Sequence, residues 1–365
     1  MSTYDKYAFP ASRETWDVPM AGSARFNWEY DDGRDKLLAL YQKGKDKQWD
    51  STKRIDWSIE VDPINPAGFP DEYNAFHGSD IWARMNEKEQ DTLLQHINAW
   101  TFSQFLHGEQ GAMITSARLV EAVPDIDAKF YAATQTMDEA RHVETFSRFL
   151  QEKIGVVYPM NDDLGSLLSD ALGSSEWDYA YLGMQVLIEG LALAAFGVYR
   201  DIATNPLAKQ LLAYVMQDEA RHVAFGRIAL RDQYRELTSK ERAEREDFVV
   251  EGCWLMRNRF LARDVYSNLG LPIDECLEVA EHSMLQQAFR SLLFSRIVPC
   301  VKDIGLWGEK VQKCYADMGV LDMAGVDLDA LMRSDEDIAE QIDAERVGLQ
   351  RRTDEVHETI AAAAD

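Results

Sequence analysis

The amino-acid sequence predicts an all-α protein, a four-helix bundle with additional flanking helices. Three observations predict it. Strand signals are almost absent along the 365 residues. Apolar residues recur at helical spacing between recognisable caps and breakers. A six-residue block, Asp-Glu-Ala-Arg-His-Val, also occurs twice, at 138–143 and 218–223, an offset of 80.

The first 70 residues read as an irregular arm, with prolines at 10, 19, 63, 66 and 70 around one charged helix at 33–48. Asn86 with Glu89 forms an N-cap and its reciprocal partner, and helical periodicity then runs to residue 122, ahead of Pro124. A second helix spans 125–154 and stops at Gly155. The connector that follows holds Tyr158-Pro159 and a short helical piece. A third helix starts near Glu176 and ends before Thr204-Asn205-Pro206; a fourth occupies 207–237. Thr238 with Glu241 caps a fifth, expected to run to Gly270, and two more are expected at 273–297 and 300–318. The acidic tail from 325, closing on AAAAD, is expected to be frayed or an added arm. The expected organisation is an arm at 1–85 packing on the bundle, a helical domain at 86–320 and an acidic extension at 321–365.

With 46% hydrophobic residues the chain can bury a large core. Its formal charge of −25 argues against a phosphate-binding surface, so no nucleic-acid partner is expected. An acidic protein partner would need a local basic patch. The opening MSTYDKYAFPASRE lacks a basic start followed by an apolar block, so no secretory signal is expected. The longest apolar run, 186–198, is too short for a membrane span and carries Glu189, so it reads as a core helix. Cys253, Cys276, Cys300 and Cys314 form no CxxC pair, which favours reduced thiols in a cytoplasmic protein.

Glu109 and Glu189 share the offset of 80, so each copy reads as a glutamate, a thirty-residue gap, then Glu-x-x-His. On a helix, positions i and i+3 project from one face, so Glu139 points with His142 and Glu219 with His222. The gaps have their midpoints at residues 124 and 204, which are the two breakers. In an antiparallel hairpin, residues equidistant from the turn lie level. About fifteen residues at ~1.5 Å each place all six ~22 Å from the hairpin end, deep in the bundle. Glu189 is the only charge in its apolar run, and burying an unpaired carboxylate is costly or forces its protonation. Two divalent ions would balance four carboxylates, whose bridging suits ions ~3.5–4 Å apart. Mixed oxygen and nitrogen ligands favour iron or manganese over zinc. The candidate ligands are therefore Glu109, Glu139, His142, Glu189, Glu219 and His222.

A ligating histidine usually donates its other N–H to a carboxylate. Asp138 is accordingly expected to hold His222, and Asp218 to hold His142, with Arg141 and Arg221 pairing to those aspartates. His107, two residues before Glu109, faces elsewhere and is expected at the surface or in packing. Phe105, Ala112, Met113, Ala192, Leu193 and Phe196 lie within one or two turns of the ligand glutamates. They are expected to line an apolar pocket at the metals.

Over residues 86–237 these motifs resemble the ferritin-like non-haem di-iron oxygenase superfamily. Its members include multicomponent monooxygenase hydroxylases, soluble desaturases, ribonucleotide reductase small subunits and N-oxygenases. The Asp-Glu-x-Arg-His form looks most like the multicomponent monooxygenases. The resemblance implies two iron ions, with an Fe/Mn pair admissible. It also implies a monooxygenase-type oxidoreductase that uses O2 to hydroxylate, desaturate or N-oxygenate a small organic substrate. No flavin or iron–sulfur motif is visible, so an external electron donor is expected, a reductase or a ferredoxin-like protein. A homodimer is compatible with this reading.

The alternatives are a ferritin-type iron-oxidising store and a reductase-like oxidase subunit. The length beyond one bundle argues against the store. Phe146 stands where the reductase subunits carry a radical-bearing tyrosine, which argues against that role. Two further departures are visible. Ala192 and Leu193 occupy the turn where hydroxylases and desaturases often carry a threonine, and Val215 stands where arylamine N-oxygenases carry an extra histidine.

Overall fold

The computed structural model describes residues 6–9, 16–30 and 33–364. Pro10, most of the opening segment and the terminal Asp365 lie outside the described residues. The chain reaches the bundle through α1 (Asp35–Asp46), the single turn α2 (Ser51–Arg54) and α3 (Asp80–Arg84). Helix α1 carries Asp35 in its first turn and Lys43 and Lys45 in its last, which complements its dipole. Two antiparallel hairpins follow. Helix α4 (Glu87–Ala122) opens on a capping box, with Asn86 Oδ1 accepting from Glu89 N at 3.1 Å and Glu89 accepting from Asn86 N at 2.9 Å. Pro124 ends it. Asp125 then caps α5 (Ile126–Phe149) through the Ala128 N–H, and α5 runs on as a π-helical turn, Leu150–Ile154, to left-handed Gly155.

After α6 (Asp162–Gly173), the third bundle helix is composite. It comprises α7 (Trp177–Tyr181), a π-helical segment Leu182–Ile188, and α8 (Glu189–Ile202). The turn to α9 (Pro206–Gln233) is made by Asn205, whose side chain accepts from Leu207 N and Ala208 N, with Pro206 in the first helical turn. The sequence reads as one unbroken helix from 176; instead the widened π segment ends directly at Glu189. Its Gln185 lies so close to α9 that a Cβ on Gly226 would sit 2.5 Å from the Gln185 Cβ. Only glycine permits that approach.

The flanking helices differ most from expectation. Helix α10 (Ser239–Asn258) opens on the Thr238–Glu241 capping box, but it stops short of Gly270. A tight turn over Arg259–Leu261 and left-handed Ala262 (φ 51°) break it before α11 (Arg263–Asn268). The break swings Val265 and Tyr266 into the core, where both are buried. The next helices divide at Ser283, giving α12 (Ile273–His282) and α13 (Met284–Asp303). Pro299 lies inside α13, because Val298, Cys300 and Val301 around it are fully buried and packing outweighs the missing hydrogen bond. Helix α14 (Glu309–Asp317) follows.

The acidic tail is helical as well, as α15 (Leu328–Ala364). Buried Asp335 anchors it, accepting from Arg200 Nη1 at 3.2 Å and Arg296 Nη2 at 2.5 Å. Among the described residues the only β-pairing is an isolated bridge between Tyr7 and Val157. The four cysteines are buried and free. Trp177–Ile202 is long and apolar enough to cross a membrane, a longer stretch than 186–198, but 83% of its most apolar window is buried against neighbours. It is the bundle's core helix.

Replacing Asp335 by Asn leaves Arg200 and Arg296 buried without their shared counter-charge. The expected cost is about 3 kcal/mol, read as a lower urea midpoint at unchanged slope. An unchanged midpoint would show that α15 is not anchored there.

Candidate metal centre

Glu109 comes from α4, Glu139 and His142 from α5, Glu189 from the start of α8, and Glu219 and His222 from α9. The structure brings all six together, none more than 5% exposed. They fall into two groups whose ligand atoms lie within 4.8 Å of one another: Glu109, Glu139, His142 and Glu219, and Glu139, Glu189, Glu219 and His222. Glu139 and Glu219 belong to both. His142 Nδ1 lies 3.2 Å from Glu109, 3.2 Å from Glu139 and 3.1 Å from Glu219. His222 Nδ1 lies 3.0 Å from Glu139 and 3.5 Å from Glu219. Each imidazole thus turns Nδ1 inward.

The outward nitrogens meet aspartates from the opposite copy. His142 Nε2 is 3.1 Å from Asp218 Oδ2, and His222 Nε2 is 3.3 Å from Asp138 Oδ2. Arg141 Nη2 donates to Asp138 at 2.6 Å and Asp218 at 2.8 Å, while Arg221 pairs with Asp218 and reaches Asp138 at 3.6 Å. Burial would raise the Asp218 carboxyl, but Arg221, His142 and Arg141 hold it well below the usual range. The ionised Asp218 against Nε2 orients the His142 ring and turns its Nδ1 toward the glutamates, where a metal would have to displace the Nδ1 proton.

Inside the cluster the electrostatics are those of a charge deficit. Burial, with Glu219 next in size, pushes Glu109 and Glu189 well above the ordinary carboxyl range. Burial acts the same way on Glu139, but His222 and His142 overcome it and pull that carboxyl down. Both imidazoles are driven well above the ordinary histidine range against the cost of burial, His142 chiefly by Glu109 and His222 chiefly by Glu139. Even so, Glu139 Oε2, Glu189 Oε2, both Glu219 oxygens and His222 Nδ1 are buried without a hydrogen-bond partner. Unpaired carboxylate oxygens converging from α5, α8 and α9, with Glu109 of α4 beside them, could hold a cation, and the mixed oxygen and nitrogen chemistry of the six residues fits iron or manganese.

Four nearby polar residues were not singled out from the sequence. Gln48 Nε2 donates to Asp138 at 2.6 Å and Trp49 Nε1 to Asp218 at 2.7 Å, both from the link between α1 and α2. Arg141 in turn donates to Gln48 Oε1 at 2.7 Å and lies 4.7 Å over the Trp49 ring. Gln135 Nε2 donates to Glu189 at 2.7 Å and Glu139 at 3.1 Å, and Gln185 Nε2 reaches Gln135 Oε1 at 3.4 Å. The two glutamines stand four residues before Glu139 and Glu189, a spacing that could have found them. Gln48 and Trp49 carry no such signal. His107 points away, its Nε2 2.8 Å from the Tyr158 carbonyl, and burial pushes its pKa down.

Phe105 and Phe196 pack edge to face at 4.7 Å and both contact Phe146, so this side of the centre is filled by rings. Ala112 and Leu193 are buried, and Met113 and Ala192 partly so. None of these six lines the aromatic cavity of about 100 Å³ that lies further along α4 and α8, beyond Phe105. That cavity has Thr101 and Tyr199 in its wall.

Comparison with known proteins identifies the fold and the family. A search of curated proteins finds no match. Similar solved structures include an R2-like ligand-binding oxidase with an aerobically reconstituted metal cofactor after photoconversion. It is 18% identical with a TM-score of 0.50, and the match covers 78% of this chain and 100% of that one. A tyrosine-to-phenylalanine variant of such an oxidase, with an anaerobically reconstituted Mn/Fe cofactor, matches with the same identity, coverage and TM-score. At this identity the likeness is one of fold. The family model described as p-aminobenzoate N-oxygenase AurF matches residues 31–305. The match is to N-oxygenases, not to the multicomponent hydroxylases that the Asp-Glu-x-Arg-His form resembles, and buried Val215 keeps its departure from the extra histidine. This chain belongs to the p-aminobenzoate N-oxygenase AurF family and, with it, to the ferritin-like non-haem di-iron oxygenases.

Proposed function

We propose that Glu109, Glu139, His142, Glu189, Glu219 and His222 hold the two metal ions with which this enzyme oxidises its substrate. As a member of its family the chain is an oxidoreductase that activates O2 to oxidise an organic molecule. The observation that carries the assignment is the buried pair of four-residue groups sharing Glu139 and Glu219. Carboxylates common to both groups would let Glu139 and Glu219 serve two ions held close together.

Bound there, the metal pair supplies electrons and Lewis acidity to O2. The chain's own residues do the rest. Asp138 and Asp218 hold the imidazoles by Nε2, Arg141 and Arg221 neutralise those aspartates, and Gln48 and Trp49 orient them. Gln135 steadies Glu189 and Glu139 by donating to one oxygen of each. Phe105, Phe146 and Phe196 keep water from the face toward the aromatic cavity. Inserting one oxygen atom and reducing the other to water consumes two electrons and two protons. Without a flavin or iron–sulfur motif in the sequence, an external reductase or ferredoxin-like protein supplies the electrons. The buried reduced thiols fit a cytoplasmic location.

The Glu189→Ala variant is expected to lose one of two irons, read by metal analysis, and with it substrate-dependent O2 consumption. Two irons per chain in that variant would refute the ligand assignment. The pKa directions predict a pH dependence as well. Glu109, Glu189, His142 and His222 all hold protons more tightly than usual, and a metal must displace them. Ferrous-ion affinity therefore rises with pH through neutrality and falls on acidification. Calorimetry at pH 7 in buffers of different protonation enthalpy should show proton release on binding; none released would contradict the electrostatics.

A further inference from the structure

We propose that the cavity bounded by Trp100, Thr101, Tyr199, Tyr266 and Phe289 receives the organic substrate, and that this substrate is an uncharged aromatic molecule. The inference rests on the metal assignment above and names the substrate class for that site.

Position comes first. The cavity encloses about 100 Å³ and shares Tyr73, Tyr199 and Phe289 with a surface groove of about 290 Å³ between α8 and α13. It is therefore reached from solvent. Its inner boundary points at the metal centre: Tyr199 contacts Phe105 at 5.8 Å, and Phe105 contacts Phe196 at 4.7 Å. Thr101, Phe105 and Glu109 stand at i, i+4 and i+8 on α4, so the cavity lies about 12 Å along the helix from the centre. Phe105 and Phe196 form the partition between the cavity and the ligand residues.

The walls give the class. Tyr199 packs on Phe69 at 5.2 Å and on Phe289 at 5.5 Å, and Phe289 packs on Phe260 at 5.7 Å. These rings offer faces and edges to a flat guest. An engineered cavity of about 150 Å³ accepts benzene, so one ring fills this cavity and its mouth. Among the described residues no lining side chain is Lys, Arg or His, and the one charged side chain there, Asp71, lies exposed at the rim. The deeper polar groups are neutral. The Tyr199 hydroxyl bonds Thr101 and burial pushes its pKa up to about 12, while the Asn98 amide donates to the Ile64 carbonyl at 3.2 Å. A carboxylate would enter this wall with no counter-charge, past Asp71 and against a chain of net charge −25. The molecule for which the family is named, p-aminobenzoate, carries such a carboxylate. This chain is built to take a ring without one.

The test uses iron-loaded, anaerobic protein and fluorine NMR, with 4-fluoroaniline and 4-fluorobenzoate as probes. The aniline should bind at least about tenfold more tightly than the benzoate. Two variants that fill the cavity, Phe289→Trp and Ala280→Leu, should each weaken aniline binding by about tenfold while iron content is unchanged. Benzoate binding as tight as aniline, aniline binding that survives both variants, or no aniline binding would overturn the proposal. Binding is read separately from iron content, so wild-type protein that takes up no iron but binds aniline in this cavity would sink the metal assignment and leave the cavity assignment standing.

Discussion

Four glutamates and two histidines share one level in the interior of a helical bundle, and the rest of the molecule is arranged to make that tolerable. Two carboxylates about 4 Å apart repel by about 4 kcal/mol at the effective dielectric of a protein site, and this cluster holds several such pairs. Without metal, protons take the place of cations: Glu109 and Glu189 are pushed toward the neutral form, and both imidazoles toward the charged one. Two divalent ions would satisfy the same charge and also the oxygens that protons leave unpartnered.

The surrounding layers follow from holding that charge in place. Asp218 and Asp138 grip the imidazoles from outside, and the arginines of both copies tie the aspartates together. The N-terminal arm closes this outer layer by inserting Gln48 and Trp49, so the segment before the bundle is part of the centre's support. On the opposite side of the charge lies a wall of phenylalanines. Beyond it is a cavity whose own lining is neutral, and the boundary between those two environments is where an apolar molecule would meet the oxidising centre.

Much of this was legible in the sequence because it is written locally. Caps and breakers act within a turn, so Asn86, Pro124, Asn205 and Thr238 mark helix ends wherever tertiary structure puts them. The repeated block and the thirty-residue gaps then place six residues level from helix geometry alone. What was not legible depends on packing between distant segments. Nothing local predicts that α10 breaks at Ala262, that α13 runs through Pro299, or that Asp335 docks an acidic tail onto two buried arginines. Trp49 reaches Asp218 across 169 residues of sequence, a contact with no periodicity to announce it. Nor does periodicity show that Phe105 and Phe196 pack on Phe146, or that a cavity lies further along α4 and α8, a matter of how side chains fill volume.

The central claim is that one buried cluster holds two bridged ions. Anomalous diffraction at the iron edge, from crystals grown anaerobically with ferrous iron, tests it most directly. The account predicts two peaks ~3.5–4 Å apart, one against Glu109 and His142, the other against Glu189 and His222, with Glu139 and Glu219 spanning both. A single peak, or peaks outside this cluster, would contradict it.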